Sequence, residues 1–520
     1  MAELLRNCAH ERPNDVAIRD EHGTLTWRTF NDHVNQLIHF LRRVNVTESD
    51  TIAILSTNRR EFFEVAAAAT HASLIYVPMN WHWVSRELAY VLEDADVKAL
   101  FVEDRFADAA RGALEDPATS QCATRVVFGE HIRGFDAYDD LFAEVDCDEP
   151  LDQASGGPMF YTSGTTGFPK GVRSSFNDTG QSLTRIETLA VAVANVLKIP
   201  PRGVTLLDGP AYHSAQLALS LYPLLGLASE VVTRAHFDAA SMLALIDDHR
   251  VTNLHLVPTQ FIRLLKLDDD TRARFDGSSL ASVIHGAAPC PTSIKRAMLE
   301  WWGPVILEYY GGTESGFLTV VDGSTWLEHP GTVGRALASN ELAILNDGYG
   351  ACRPGEVGQI YFKSLGGGDF RYHKSPDKTA AAHVADGVGT LGDVGYLDDD
   401  GYLYLSDRKI DMIISGGVNI YPAEIEGVLV MHPAVADAAV FGIPDDEMGE
   451  QVKAAVELID PSLASNELAS ELQSFAREHV ASFKVPRSID FVPELPRHPT
   501  GKLYKRLLRD PYWQETERQI

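Results

Sequence analysis

The residues best suited to chemistry lie in segment 161–172, which reads Tyr-Thr-Ser-Gly-Thr-Thr-Gly-Phe-Pro-Lys-Gly-Val. Glycine lacks a Cβ, so backbone N–H groups can approach an anion closely, while hydroxyl groups and a lysine add further donors. Pro169 precedes the lysine and Gly171 follows it, unlike the common nucleotide loop, in which lysine follows glycine and precedes serine or threonine. The sequence therefore predicts a different kind of phosphate-binding loop, able to wrap a triphosphate; a surface loop without a ligand is the alternative. The predicted contacts are Thr162, Ser163, Gly164, Thr165, Thr166 and Lys170.

Four later segments could each serve a nucleotide site, and each also has an ordinary structural explanation. Segment 285–289 is a small-residue turn that could let a planar base slide against backbone. Segment 310–314 offers an aromatic face, two glycines, a hydroxyl and a carboxylate, which could stack adenine and hold Mg²⁺. Asp393, in a glycine-flanked loop, can bind ribose hydroxyls or only cap a turn. Lys502 stands alone near the C-terminus, where a lysine is usually just solvated.

Alternating strand and helix patterns must position these segments. Short apolar runs that predict strands alternate with helical periodicity from 51 to 128 and again from 204 to 284, which is typical of parallel strands covered by helices. From 343 to 393, short strands separated by Gly, Pro and Asp predict a small β-rich subdomain. The remainder predicts a separate α+β unit. The fold class expected is therefore α/β and α+β, with a large N-terminal domain of parallel-rich sheets and helices at 1–409 and a small C-terminal domain at 410–520.

Composition restricts the function classes. At 520 residues the chain exceeds the size of one hydrophobic core. A net charge of −28 argues against nucleic acid or an anionic membrane as main partner. The five cysteines are scattered without C-x-x-C spacing, which predicts reduced thiols, no disulfides and no structural zinc. The first twenty residues do not resemble a signal peptide, and the apolar run at 217–232 is too short to span a bilayer. We expect a cytoplasmic protein.

Taken together, the order and spacing of these motifs resemble the acyl-adenylate-forming superfamily, which includes acyl-CoA synthetases, amino-acid-activating domains and luciferases. The resemblance runs from about residue 11 to the end. It implies that the glycine-rich loop holds the β- and γ-phosphates of ATP and that Glu314, with Thr162, holds Mg²⁺. It implies catalytic roles for Lys502, which bridges the carboxylate and the α-phosphate, for His213 beside the acyl carboxylate, and for Glu314. The further implied nucleotide contacts are Ala287, Ala288, Glu308, Tyr309, Tyr310, Gly311, Gly312, Thr313, Asp393 and Arg408.

The family also rotates its small C-terminal domain between two half-reactions. The resemblance implies that Lys502 then leaves the site and that loop 415–420, with Gly416 and Gly417, lines a tunnel for the pantetheine thiol of CoA. At the hinge this chain has Ile410 where relatives usually have Asp or Lys. His236 stands where many relatives have Arg or Lys against a CoA phosphate, although Arg234 is near enough to substitute.

The resemblance implies an ATP-dependent carboxylic-acid ligase, of the AMP-forming acyl-CoA synthetase type, that releases pyrophosphate and then passes the acyl group to CoA. Capture of the acyl-adenylate by an amine, giving an amide, is the alternative. Asp208 would serve that alternative as a base if it faced the cleft, and otherwise it is a turn carboxylate. A non-catalytic nucleotide-binding module is disfavoured because the implied charged residues are all present. Small residues near His213, 285–288 and 312–318 leave room for a bulky or aromatic acid.

Overall fold

The structure is a computed structural model that describes residues 3–143, 145–162, 169–408, 411–415, 418–445, 448–497 and 503–513. Within them the helices are α1 Glu3–Glu11, α2 Trp27–Arg43, α3 Arg60–His71, α4 Ser85–Asp94, α5 Ala107–Leu114, α6 Thr184–Leu197, α7 Ser214–Leu227, α8 Ala239–Asp248, α9 Pro258–Leu265, α10 Asp269–Arg274, α11 Thr292–Trp302, α12 Gly323–Glu328, α13 Pro376–Ala381, α14 Pro422–Leu429, α15 Asn466–His479 and α16 Lys505–Trp513.

The strands of the described residues are, in chain order, β1 Val16–Asp20, β2 Gly23–Thr26, β3 Thr51–Leu55, β4 Ile75–Pro78, β5 Val97–Glu103, β6 Thr124–Phe128, β7 Asp136–Ala137, β8 Gly157–Pro158, β9 Phe160–Thr162, β10 Lys170–Ser174, β11 Val204–Leu207, β12 Glu230–Thr233, β13 Asn253–Leu256, β14 Ser282–His285, β15 Ile306–Gly312, β16 Gly316–Asp322, β17 Arg335–Ala336, β18 Asn340–Leu345, β19 Gly358–Ser364, β20 Phe370–Tyr372, β21 His383–Ala385, β22 Val388–Gly389, β23 Asp393–Leu397, β24 Leu403–Arg408, β25 Ile413–Ser415, β26 Val418–Ile420, β27 Val435–Asp445, β28 Gly449–Leu458 and β29 Ser488–Val492.

Two parallel-rich sheets form the large N-terminal part. One has nine strands in the order β17-β16-β15-β14-β13-β11-β12-β1-β2, and the other has six in the order β7-β6-β5-β3-β4-β8. Strands such as β3 and β13 are buried along their whole length, because parallel strands carry helices on both faces. The predicted α/β architecture is confirmed, including the strand and helix alternation from 51 to 128 and from 204 to 284.

Helices cover these sheets through apolar faces at helical spacing. In α2, Trp27, Phe30, Val34 and Leu37 are buried, and the Thr26 hydroxyl caps the helix by accepting a hydrogen bond from the Thr29 N–H. Helix α7 is apolar almost throughout, as expected of a helix enclosed by other elements. None of the helices in the described ranges combines the length and hydropathy needed to cross a membrane.

The small β-rich subdomain extends further than predicted. Its sheet has the order β21-β22-β19-β23-β24, with β18 beside β19. The sequence placed its end near Asp393 and put that residue in a loop, whereas Asp393 begins β23 and pairs with the backbone of Arg408 at the end of β24. The Asp-Asp-Asp-Gly turn at 398–401 joins these two strands into a hairpin, so the sheet continues to 408.

The C-terminal unit has its own sheet and core. Within the part of the chain that the structure describes, strands β25 to β29 pair only with one another, in the order β26-β25-β28-β27 with β29 beside β28. Ile413, Leu429, Val440 and Leu472 pack together in a cluster that contains only residues beyond 411. The predicted α+β character of this unit is confirmed.

Candidate active site

A three-stranded sheet, β20-β10-β9, holds both ends of the predicted phosphate loop. Strands β9 and β10 are antiparallel, and Thr162 pairs with Lys170. The pairing brings the predicted metal ligand and the predicted phosphate lysine to the same end of a hairpin. Ser163, Gly164, Thr165 and Thr166 lie outside the described residues, so their phosphate contacts stay a prediction.

A tyrosine that the sequence analysis did not single out joins Lys170 to Glu314. The Lys170 Nζ lies 3.6 Å from the centroid of the Tyr372 ring, and the Tyr372 hydroxyl donates a 3.1 Å hydrogen bond to Glu314 Oε1. Burial and the neighbouring Glu314 carboxylate raise the pKa of Tyr372, so the hydroxyl remains a donor at neutral pH. Tyr372 stands on β20, beside β10, and thereby fixes the carboxylate beside the lysine.

Thr162 and Glu314 supply oxygen atoms of the kind that Mg²⁺ prefers. The Thr162 Oγ1 is buried and makes no hydrogen bond in the part of the chain that the structure describes. Among the described residues, no group of three or more His, Cys, Asp or Glu side chains could hold a metal ion. The Thr162 hydroxyl lies on the strand residue paired with Lys170, and Tyr372 links Lys170 to the Glu314 carboxylate. These two oxygen donors are compatible with a metal whose other ligands come from phosphate and water.

The predicted adenine and ribose contacts meet at Tyr310. Its hydroxyl donates a 2.9 Å hydrogen bond to Asp393 Oδ2, which places the aromatic ring of one motif beside the carboxylate of another. Arg408 is the register partner of Asp393, and its side chain lies outside the described part of the chain. Gly311 is sterically required, because a Cβ there would lie 1.9 Å from the carbonyl oxygen of Gly316. Gly312 is the next residue of β15.

The predicted adenine residues 308, 309 and 310 do not face the same way. Glu308 is buried, and its Oε2 lies 2.5 Å from the Nζ of buried Lys295 on α11. Tyr310 packs in the core of the β-rich subdomain, whereas Tyr309 packs with α6 and α7 on the opposite face of β15, because successive strand residues alternate. The adenine contacts of Glu308, Tyr309 and Tyr310 therefore stay a prediction, and the Tyr309 ring lies on the face of β15 opposite to the Tyr310 ring.

A turn after β14 carries the other predicted adenine residues. Ala287 has φ +67°, in the left-handed region that a residue with a Cβ rarely adopts, and Ala288 follows it. A Cβ on the preceding Gly286 would lie 2.5 Å from the Tyr309 ring. The turn is therefore tightly fixed against β15.

His213 stands at the start of α7, as its N-terminal flanking residue. The next residue, Ser214, has its Oγ 3.0 Å from the Oγ1 of Thr313, so the two predicted site residues His213 and Thr313 are brought together. Asn58 fixes the preceding loop, since its Oδ1 accepts a 2.8 Å hydrogen bond from the Ala211 N–H. The structure thus joins the end of β15 to the beginning of α7.

Asp208 and Arg234 form a buried ion pair close to this loop. The Arg234 Nε and Nη2 donate to the two oxygens of Asp208 at 2.5 and 2.6 Å, and the two residues are 3 % and 7 % exposed. Burial raises the pKa of Asp208 to about 6, and the arginine opposes the increase. Asp208 is therefore a partnered carboxylate rather than a base open to the cleft. Equally, Arg234 is engaged internally, so the expectation that it substitutes for exposed His236 is not supported.

The C-terminal unit contacts the large domain through the residue that follows α9. This residue, Lys266, donates hydrogen bonds of 3.1 and 3.3 Å to the carbonyl oxygens of Val435 and Ala436 at the start of β27. Burial, with a smaller contribution from Tyr504, raises the pKa of Tyr212. Tyr504 of the C-terminal unit therefore lies close enough to Tyr212, the residue before His213, for the two side chains to interact electrostatically.

Three other predicted positions lie outside the described residues: Lys502, the glycine pair Gly416 and Gly417, and the hinge residue Ile410. Strands β25 and β26, on either side of the glycines, pair antiparallel, with Ser415 opposite Val418. The roles predicted for Lys502 and for the glycine loop stay predictions.

The chain belongs to the AMP-binding enzyme family. It matches the family description "AMP-binding enzyme" over residues 5–367, more than half of its length, and "AMP-binding enzyme C-terminal domain" over residues 424–502. The resemblance to adenylate-forming enzymes is thereby confirmed.

The chain is similar to curated ligases along nearly their whole length. It is 32% identical to the 2-succinylbenzoate–CoA ligase of Bacillus pumilus, with 96% of each chain covered. It is 30% identical to a fatty acid–acyl-carrier-protein ligase, ScoC, of Streptomyces coeruleorubidus, over 98% of this chain and 96% of the relative. Among solved structures it is similar to the amide bond synthetase McbA of Marinactinospora thermotolerans, with a TM-score of 0.81, 27% identity and coverage of 98% and 100%. The similarity to these proteins confirms the prediction of an AMP-forming ligase of carboxylic acids. The names of these relatives differ in the acceptor of the acyl group, which is CoA, an acyl-carrier protein or an amine.

Proposed function

We propose that this protein joins a carboxylic acid to CoA in two steps through an acyl-adenylate. In the first, a carboxylate oxygen bonds to the α-phosphorus of ATP and pyrophosphate leaves. In the second, the sulfur of CoA bonds to the acyl carbon, the thiol loses its proton, and AMP leaves. The single observation that supports this most is the contact chain from Lys170 through Tyr372 to Glu314, because it joins the predicted phosphate lysine to the predicted magnesium ligand from separate segments of the chain.

The residues fit the first step because it brings two anions together. Lys170, and Lys502 if it reaches the site as the resemblance implies, would offset the negative charge and hold the nucleophile in line with the leaving group. Thr162 and Glu314 would hold Mg²⁺, which supplies positive charge to the phosphates when bound. The Tyr310 hydroxyl keeps Asp393 oriented, so that its remaining acceptor capacity can serve the ribose.

Two observations favour CoA over an amine as the acceptor: a curated relative is named as a CoA ligase, and Asp208 is buried in an ion pair. An attacking ammonium must lose a proton, and the base that the sequence offered for this task is buried and paired with Arg234. A thiol needs less assistance because it ionises closer to neutral pH. Small residues around the site favour an aromatic acid as substrate, in keeping with the acid named for the Bacillus pumilus relative.

The test follows the two steps separately. Acid-dependent exchange of labelled pyrophosphate into ATP should report the first step. Pre-formed acyl-adenylate is then supplied with CoA or with a simple primary amine, and each rate is compared with the enzyme-free control. We expect transfer to CoA well above the control. Amide formation with CoA at the background rate would overturn the proposed acceptor, and absence of exchange with every acid would overturn the adenylation step.

We expect Tyr372→Phe to lower the rate of pyrophosphate exchange about tenfold and to raise the Mg²⁺ concentration needed for half-maximal rate. A hydrogen bond to a charged group contributes roughly 1.5–3 kcal/mol, and its loss lets Glu314 turn away from Lys170. The measurement is the exchange rate over a Mg²⁺ titration. Tyr349→Phe is the matched control, because Tyr349 is 65% exposed; a Tyr372→Phe profile equal to that of the control would contradict the assigned contact.

We further propose that residues 410–520 move as a unit about the segment near Ile410, and that the contact of Lys266 with β27 stabilises the arrangement in which adenylation occurs. The amine is partly buried and meets two backbone carbonyl groups of that unit. Burial lowers the pKa of Lys266, which Asp437 and Glu457 oppose.

Lys266→Met should therefore slow adenylation about fivefold, as expected for the loss of roughly 1 kcal/mol of hydrogen bonding by a partly exposed charged group. Transfer from supplied acyl-adenylate to CoA should not slow, because that step uses the other arrangement. Single-turnover rates of both steps provide the measurement, with Lys198→Met, at an exposed ion pair with Asp322, as control. Equal slowing of the two steps would exclude the proposed role.

A further inference from the structure

The ring of Tyr309 fills the space behind the turn at 286–288 and the end of β15. It is 6 % exposed. A Cβ on Gly286 would lie 2.5 Å from its Cε1 atom, and its ring meets that of Phe317 edge to face with centroids 4.8 Å apart. Both contacts lie within the two segments, 285–288 and 312–318, that small residues mark as walls of the acid pocket.

A hydrogen bond fixes the orientation of this ring. The Tyr309 hydroxyl and the Nε2 of His255 on β13 lie 3.2 Å apart, inside a layer that is otherwise apolar and includes Leu219 and Ile284. Burial lowers the pKa of His255 to about 3 and raises that of Tyr309, so both groups are neutral and the bond persists at working pH. The ring is therefore held on both sides and at its hydroxyl.

The distance from the carboxylate end of the site to this ring is limited by the few residues that separate Tyr309 from Thr313. His213 and the Ser214–Thr313 contact mark the carboxylate end, and Leu219, on the same helix, packs in the cluster that contains Tyr309. Thr313 follows Tyr309 by four residues, so the Cα atoms of these two residues lie at most about 14 Å apart. An acid that enters beside the Ser214–Thr313 contact and extends towards β15 thus meets the Tyr309 ring within that distance.

We propose that Tyr309 closes the inner end of the acid pocket and restricts the substrate to compact carboxylic acids, with one ring or a short chain. This rests on the proposed function, since it takes the carboxylate end of the pocket from that site. Tyr309 acts by excluding volume, and His255 positions it.

The first part of the test uses the unaltered protein. Pyrophosphate exchange is measured with benzoate, phenylacetate, hexanoate, decanoate and hexadecanoate, and kcat/KM is compared. We expect exchange with the compact acids and at least tenfold less with decanoate and hexadecanoate. Equal or higher kcat/KM with the long acids would overturn the inference while leaving the proposed function intact. Absence of exchange with every acid would instead overturn the proposed function, and the inference with it.

The second part assigns the restriction to the ring. Tyr309→Ala and the less disruptive Tyr309→Leu should each raise the ratio of kcat/KM for decanoate to that for benzoate at least tenfold. Tyr309→Phe, which keeps the ring and loses the hydroxyl, should leave this ratio within a factor of about two or three. An unchanged ratio in a folded Tyr309→Leu protein, or a ratio raised as much in Tyr309→Phe as in Tyr309→Leu, would contradict closure by the ring.

Discussion

We expect Lys502→Ala to slow acyl-adenylate formation by about a hundredfold or more, which corresponds to about 2.7 kcal/mol of lost transition-state stabilisation. The reason is electrostatic, because the attacking carboxylate and the α-phosphate both carry negative charge where they meet. Transfer to CoA from supplied acyl-adenylate should remain nearly intact, since the proposed rotation removes this lysine from the site before the second step. The measurement is single-turnover kinetics of each step.

Lys484→Ala provides the matched control within the same C-terminal unit. Its Nζ forms an ion pair with Glu424 at 2.6 Å, and the glutamate is about half exposed, so we expect both steps to proceed at the unaltered rate. Equal losses in both half-reactions of Lys502→Ala would exclude the arrangement in which this lysine serves adenylation alone.

The second large effect concerns stability. Lys295→Met should destabilise the large domain by about 3–5 kcal/mol, because it leaves the Glu308 carboxylate buried without its cation. Glu308 is 6 % and Lys295 0 % exposed, so water cannot replace the lost partner. The measurement is the urea midpoint of the unfolding transition that belongs to the large domain, followed separately from that of the C-terminal unit.

Two controls separate this effect from a general effect of the substitution. The double variant Lys295→Met/Glu308→Leu should recover most of the loss, since replacing both members of a buried pair by apolar groups is often nearly neutral. Lys198→Met, at an exposed pair, should cost less than about 1 kcal/mol. A Lys295→Met protein that unfolds at the unaltered midpoint would show that Glu308 is not charged in the folded state.

The strands and helices that could be predicted are those whose residue pattern is visible within a short stretch of sequence. Thr51–Leu55 and Val204–Leu207 are short, mainly apolar runs followed by helical periodicity. Such runs indicate buried parallel strands whatever their neighbours are. The predicted end of the β-rich subdomain, near Asp393, is wrong because each of the strands β23 and β24 is short. Only their pairing across the turn at 398–401 shows that both belong to the same sheet.

The contacts that were not predictable join residues distant in sequence. Tyr372 meets Lys170 because β20 lies beside β10, and its hydroxyl reaches Glu314 across 58 residues. Asp208 and Arg234 meet because β11 and β12 are adjacent and parallel, with Leu207 opposite Thr233, so both side chains follow the same edge of the sheet. Once the order of the strands is known, that pair follows from the sequence; without it, the two residues give no sign of being neighbours.

The pairing of Arg234 also affects how charged substrates approach. Its positive charge is cancelled inside the protein by Asp208, and it adds little to the field at the surface of a chain whose net charge is −28. A polyanion such as CoA therefore meets long-range repulsion before any local contact forms. Salt shortens the range of that repulsion to about 8 Å at physiological ionic strength. We therefore expect the encounter rate of this protein with CoA to rise with ionic strength, opposite to the behaviour of proteins that attract their anionic ligands from a distance.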